Sequence, residues 1–166
     1  MQIFGIVGWK NSGKTTLVTA LVREFCARGL RVSTVKHAHH AFDLDRPGKD
    51  SYQHRDAGAH EVLIASHGRW ALLHELRGAA EPALAELLQH MSPVDLVLVE
   101  GFKGEAHPKL EVRRNGIEGS LLSDGDPHIV AIATDSAITP QVKPVLALND
   151  VAAIADFILR YCNLPG

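Results

Sequence analysis

The 166-residue chain holds only two cysteines, Cys26 and Cys162, and no Cys-x-x-Cys pair. A disulfide scaffold is thereby excluded, and both thiols are expected to be reduced and packed on apolar helix faces in a cytoplasmic protein. Charge of one sign is also lacking: 17 basic against 19 acidic residues leave a formal net charge of −2. This excludes a nucleic-acid binder held by bulk electrostatics. No apolar run reaches the length of a membrane span. The opening MQIFGIVGWK has no basic segment before its short apolar run, so no signal peptide is expected. No Ser-His-Asp arrangement stands out. What is present is an ordinary 46% hydrophobic content, enough for one core, and an unusual ten histidines.

Apolar runs alternate with helical patterns from end to end, which predicts a single α/β domain over 1–166. Buried strands are predicted at Ile3 to Val7, Arg31 to Lys36, Val94 to Val99, Ile129 to Ala133 and Val145 to Leu148. A helix carries Leu17, Val18, Leu21, Val22, Phe25 and Cys26, with Gly29 suited to its C-terminal cap. Shorter helices are expected at Ser51 to Ala59 and from Pro82 to Met91. The final helix presents Val151, Ile154, Ala155, Ile158 and Cys162 and is capped by Asn149 or Asp150. The alternation predicts a mainly parallel sheet flanked by helices. Val62 to Ala65 and Trp70 to Leu76, joined by a turn at His67-Gly68-Arg69, do not fit it, nor does the more polar Lys109 to Arg113, which reads as an edge. These segments are expected to form an antiparallel extension.

The sharpest signal is Gly8-Trp9-Lys10-Asn11-Ser12-Gly13-Lys14-Thr15, which satisfies the P-loop pattern G-x-x-x-x-G-K-[ST]. Such a pattern arises by chance at about one position in tens of thousands. The flanking strand and amphipathic helix are the context it requires. Gly8 and Gly13 permit backbone angles that a Cβ obstructs. The amides of Asn11, Ser12, Gly13 and their neighbours then converge on phosphate oxygens, helped by the helix N-terminus. Lys14 supplies a cation beside the β- and γ-phosphates, the Thr15 hydroxyl a ligand for Mg²⁺, and Thr16 either an α-phosphate contact or packing at the helix start. A carboxylate is needed at the same edge of a neighbouring strand. Asp95 and Glu100 bracket the run Leu96-Val97-Leu98-Val99 and lie about 16 Å apart at roughly 3.3 Å per residue, so only one can serve. In a parallel sheet that one is Glu100.

Lys36-His37-Ala38-His39-His40 runs into Asp43-Leu44-Asp45-Arg46-Pro47-Gly48-Lys49. Three readings stand beside one another. As a phosphate-sensing loop, Asp43 and Asp45 hold a Mg²⁺-bound or attacking water, while Lys36, Arg46 and Lys49 meet phosphate charge. As a transition-metal site, His37, His39 and His40 are the ligands. As a plain polar loop, its histidines bond locally. For the base, Asp135 after Ala133-Thr134 is the first candidate guanine contact and Asp150 the second, although the lysine of an N-K-x-D motif is missing and either aspartate also suits a turn or helix cap. Arg69, Trp70, Arg113 and Arg114 read either as an anionic-substrate or partner contact or as surface charge and packing.

The tryptophan-bearing P-loop, the stretch KHAHHAFDLDRPGKDSYQHRDAGA at 36–59, ASHGRWAL at 65–72 and LVLVEGFK at 96–103 together resemble the family of molybdopterin-guanine dinucleotide biosynthesis adaptor proteins. The likeness covers nearly the whole chain. It implies a GTP-binding protein with weak GTPase activity and a homodimer built partly through extra β-strands. It also implies action beside the guanylyltransferase that joins GMP to Mo-molybdopterin, with the pterin itself as a further candidate ligand. Carried onto this chain, the nucleotide lies on Asn11 to Thr15, with Asp45 to Gly48 as a second contact loop and Glu100 serving magnesium. Hydrolysis is expected to be slow, since neither a water-positioning glutamine nor an arginine finger is evident. Three rivals remain: a small-molecule kinase with Arg113 and Arg114 as a lid, a nickel-insertion GTPase, and an adaptor that binds nucleotide only to shape a partner surface.

Overall fold

The structure, a computed structural model, describes residues 1–38, 45–138 and 142–166. In chain order its elements are β1 (Gln2–Val7), α1 (Lys14–Ala27), β2 (Val32–Lys36), α2 (Asp50–Asp56), β3 (Glu61–Ala65), β4 (Trp70–His74), α3 (Leu84–Gln89), β5 (Leu96–Glu100), β6 (Lys109–Arg113), β7 (Ile129–Thr134), β8 (Val145–Ala147) and α4 (Val151–Tyr161). The chain divides into two compact units, Met1–His37 with Met91–Gly166, and Ala38–His90. Among the described residues no helix is long and apolar enough to cross a membrane.

The first unit is a six-stranded sheet in the order β2-β5-β1-β6-β7-β8, with every neighbouring pair parallel. Its inner strands β1, β5, β6 and β7 are largely buried, as parallel strands are, whereas the edge strands β2 and β8, expected to be buried, keep no fully buried residue. Side chains alternate between faces. Phe4 and Ile6 of β1, Leu96 and Leu98 of β5, Leu110 and Val112 of β6, and Ala131 and Ala133 of β7 all join one core. Leu17, Val18, Leu21 and Phe25 of α1 and Ile154, Ala155, Ile158 and Leu159 of α4 cover that face. Helix α1 ends in a Schellman motif: Gly29 has φ +85° and donates to the Cys26 carbonyl, and Leu30 donates to that of Phe25. The α4 N-cap is Asp150, whose Oδ1 accepts from the Ala153 amide at 3.0 Å, so the cap reading is the one realised there. Cys162 is buried and burial pushes its thiol up to about 11, as its predicted place in the core requires, whereas Cys26 is exposed, contrary to expectation.

A second correction concerns β6. Its polar sequence KLEVR suggests an edge strand in an antiparallel extension, yet it lies inside the sheet, parallel to both β1 and β7. Two of its three charges, Lys109 and Glu111, face away from the helices and are fully buried. They persist there because their partners come with them. Lys109 Nζ lies 2.6 Å from Asp126 Oδ2 and donates to the carbonyls of Lys103 and Glu105. The Glu111 carboxylate accepts from the Leu122 and Ser123 amides at 3.0 and 2.9 Å. Both loops that cross this face are thereby held to the strand.

His107 is buried beside Lys109, and neither ring nitrogen has a hydrogen-bond partner among the described residues. Gly5 makes room for it: a Cβ there lies 2.5 Å from His107 Nε2 and 2.5 Å from Lys109 Cγ.

The second unit holds α2, α3 and the antiparallel pair β3–β4, the predicted hairpin, with Leu63 opposite Leu72 and Ala65 opposite Trp70. Period-2 alternation puts these four on one face. That face is uncovered in the single chain: Leu63 is 62% exposed and Trp70 65%.

Burial, then the Lys109 ammonium, lowers the His107 pKa to about 4, with Glu105 and Asp126 opposing and His128 adding a small push downward. A folded-state value below the unfolded one makes stability full above about 6.5 and declining as pH falls toward 4. The unfolding free energy from urea titrations is expected to fall over that window by an amount on the order of 3 kcal/mol, and His107→Leu to shrink the fall. An identical pH profile in the variant would assign the effect to other groups.

Candidate functional site

The strand order runs from β1 toward β5 and β2 on one side and toward β6, β7 and β8 on the other, so it reverses at β1. Ligands of open α/β sheets bind beyond the carboxyl ends of the strands at such a point. The loop Gly8–Gly13 leaves β1 there. Gly8 adopts φ +155°, and a Cβ on it would lie 2.5 Å from the Val112 carbonyl oxygen of β6 and 2.6 Å from Ser12 Oγ. Glycine is the residue that fits both the angle and the approach. Asn11 takes the left-handed conformation at φ +61°, and Gly13, at φ +93°, is the N-cap of α1. That cap has no side-chain hydrogen bond, which leaves the first amides of the helix for an anion. Ser12 is buried and its hydroxyl has no partner among the described residues. Thr16 is exposed in the first turn of α1.

Lys14 Nζ donates to the loop's own carbonyls, Trp9 at 2.7 Å and Gly8 at 3.1 Å. Burial and the nearby cations Lys103 and Lys36 lower its pKa, against a raising effect of Glu100. Register decides which carboxylate comes close. Glu100 stands opposite Ile6 of β1 and Lys36 of β2. The Thr15 hydroxyl donates to Glu100 Oε1 at 2.7 Å, and Lys36 Nζ lies 3.3 Å from the same oxygen. A hydroxyl and a carboxylate in contact are the hard oxygen donors that Mg²⁺ takes, so the residues present fit that ion. Asp95, at the far end of β5, instead accepts from the Arg31 amide at 2.7 Å, and this bond holds its carboxyl below the usual range.

The other flank carries Arg114, which the sequence leaves open between an anion or partner contact and surface charge, and Asp135, the candidate guanine contact. The Arg114 guanidinium lies against Gly13, and its Nε is 3.6 Å from Asp135 Oδ2. Asp135 Oδ1 accepts from the Asn115 amide at 2.7 Å, so half of the candidate guanine-reading carboxylate is already engaged. Asp135 also lines an open cleft of about 380 Å³ with Thr134, Ser136, Leu146 and Asn149, at the carboxyl ends of β7 and β8. Trp9 is pinned by a bond from Nε1 to the Ser120 carbonyl at 2.9 Å, and Lys103 Nζ sits 4.7 Å from its ring centroid. Spacing alone carried no signal for Arg114 or Lys103, whose neighbours come from other strands.

In the second unit Asp45 is buried, and its Oδ1 accepts from Arg55 Nη2 at 2.8 Å, while Arg55 Nη1 reaches Glu75 at 3.2 Å. Its second oxygen has no hydrogen-bond partner among the described residues. Arg46, Pro47 and Gly48 form a turn closed by the Lys49 amide on the Arg46 carbonyl. Arg46 and Lys49 line an open cleft of about 640 Å³ with His54 and the β3 residues Val62 to Ala65. Asp43, His39 and His40 lie outside the described residues. His37 stacks on Phe102, and among the described residues no group of three His, Cys, Asp or Glu side chains is placed to hold a metal.

A strand–loop–helix anion cradle at a switch point, with Thr15 and Glu100 in contact beside it, defines a P-loop NTPase-like protein. The profile described as "Molybdopterin guanine dinucleotide synthesis protein B" matches residues 3–135, and the chain belongs to this MobB family. It is 40% identical to a molybdopterin-guanine dinucleotide biosynthesis adapter protein of Escherichia coli, over 97% of this chain and 93% of that one. Identity to the adapter protein of Haemophilus influenzae is 38%, over 98% of this chain and 90% of that one. The crystal structure of Bacillus subtilis MobB superposes with a TM-score of 0.75 at 26% identity, covering 100% and 99% of the two chains. A second MobB crystal structure gives 0.75 at 27% identity, covering 96% and 99%.

Gly8→Ala is expected to cost about 1–3 kcal/mol, because both the angle and the Val112 carbonyl oppose a Cβ. Chemical denaturation measures this; a loss below about 0.5 kcal/mol would mean that the loop relaxes freely.

Proposed function

We propose that this chain is a GTP-binding adapter in the biosynthesis of molybdopterin guanine dinucleotide, acting beside the guanylyltransferase that attaches GMP to the pterin. Membership of the family supports the biosynthetic role. The nucleotide reading rests on one observation above all, the 2.7 Å contact of the Thr15 hydroxyl with Glu100 at the mouth of the glycine loop.

In this reading the loop amides from Asn11 to Thr15 receive the phosphates. Lys14 turns from the Gly8 and Trp9 carbonyls to the β- and γ-oxygens. Thr15 and Glu100 hold Mg²⁺, which neutralises charge between those phosphates. Lys36 and Lys103 add positive potential. The base takes the cleft past β7 and β8. Hydrolysis is slow, because the groups gathered at Lys14 bind charge and, among the described residues, include no glutamine to orient water. The exposed face of Leu63, Trp70 and Leu72 is read as the contact with a second copy of the chain, since an apolar sheet face of this kind calls for a cover. Two free thiols accord with a cytoplasmic setting.

Lys14→Ala is expected to abolish GTP binding in a calorimetric titration, and unchanged affinity would defeat the nucleotide reading. Glu100→Gln is expected to remove the Mg²⁺ dependence of binding while leaving metal-free affinity nearly intact. For the dimer, Trp70→Glu is expected to give a monomer by light scattering; an unaltered mass would place the interface elsewhere.

A further inference from the structure

The two flanks of the glycine loop differ in chemistry. On the side of β5 and β2 stand Glu100 and Lys36, with the Thr15 hydroxyl bonded to the carboxylate. On the side of β6 and β7 stand Arg114 and Asp135. Thr15 and Glu100 would hold a Mg²⁺ that neutralises the terminal phosphates, so in the nucleotide reading the terminal phosphate lies toward the first flank. The sugar-proximal phosphates then face the second.

Arg114 follows β6 directly, and its guanidinium lies flat over the N-cap of α1. A Cβ built on Gly13 lies 3.3 Å from Nη2, 3.5 Å from Cζ and 3.8 Å from Nε. A Cβ here would be tight against Nη2 unless the guanidinium shifted by a few tenths of an ångström. The side chain is 46% exposed, so its fork stays open to a ligand. Asp135 holds it from behind, with Oδ2 3.6 Å from Nε and Oδ1 on the amide of the next residue, Asn115. One carboxylate thus pairs with the side chain of Arg114 and bonds the backbone of the residue after it. A planar fork beside unbonded helix amides is a bidentate phosphate receptor.

We propose that Arg114 is a phosphate ligand for the sugar-proximal part of the nucleotide chain, and that Asp135 is its positioning residue rather than a reader of the base. The inference rests on the nucleotide reading above. Because the contact does not involve the terminal phosphate, Arg114 strengthens GTP and GDP equally and slows release of both. It is therefore distinct from an arginine that stabilises the transferred phosphoryl group, which would act on turnover.

The test is calorimetric titration of the full chain with Mg²⁺ and either GDP or a non-hydrolysable GTP analogue. Arg114→Gln is expected to weaken both by the same factor, about tenfold or more, with the melting temperature unchanged. Arg114→Lys, which keeps the charge but loses the planar fork, is expected to recover only part of the loss. If Arg114→Gln melts early, Arg114→Met, which keeps the stem, carries the same expectation. Asp135→Asn is expected to weaken both nucleotides by a smaller common factor without altering the preference for GTP over XTP. Affinity within twofold of the parent in Arg114→Gln, a loss confined to the GTP analogue, or full recovery in Arg114→Lys would overturn the bidentate role of Arg114. A switch of preference to XTP in Asp135→Asn would overturn that of Asp135. If the parent chain binds neither nucleotide, the nucleotide reading itself fails; if the parent binds and Arg114→Gln is unchanged, only this inference does.

Discussion

Parallel pairing of β1 with β5 on one side and β6 on the other is the constraint from which the site follows. The register sets Ile6 opposite Glu100 and Val7 opposite Glu111. One residue of slip would send Glu100 to the other face of the sheet and part it from Thr15. The same pairing presses the Val112 carbonyl against Gly8, so the glycine is required by the neighbouring strand as much as by any phosphate. The glycine loop, the Thr15–Glu100 pair and the flanking cations are all consequences of how three strands lie side by side.

The sheet's two faces are stabilised by different physics. Helices α1 and α4 bury aliphatic side chains on one, where area removed from water is the driving term. The other is crossed by loops, and a purely apolar face could not satisfy their backbone groups. Lys109 and Glu111 do so, each giving its charge to amides or carbonyls of the crossing segments. Removing either partner alone would strand a buried charge. One of those loops carries Lys103 to Trp9, so the polar network also fixes the surroundings of the phosphate cradle.

The Asp45 to Gly48 turn shows how one pattern can carry two meanings. Its acidic residue invites a catalytic reading in the sequence. In the folded unit the carboxylate is buried and bound to Arg55, which also reaches Glu75. A charge so committed ties the turn before α2 to the last turn of that helix, while Arg46 and Lys49 nearby line the open cleft.

The sequence by itself determined the phosphate loop, the strands and helices that frame it, the hairpin and the choice of Glu100 over Asp95. Each of these is written in local spacing: glycines at fixed offsets, period-2 and period-3.6 apolar patterns, and a strand length that separates two carboxylates. Only the tertiary structure decided that β6 lies inside the sheet, that Asp135 faces Arg114 and Asn115, and that Arg114 rests on Gly13. Polar residues in a strand look like an edge until their partners are known, and those partners sit on loops far along the chain. An arginine next to another arginine carries no periodic signal either. Its role is set by which strand lies beside which, a matter of non-local pairing that no window of sequence contains.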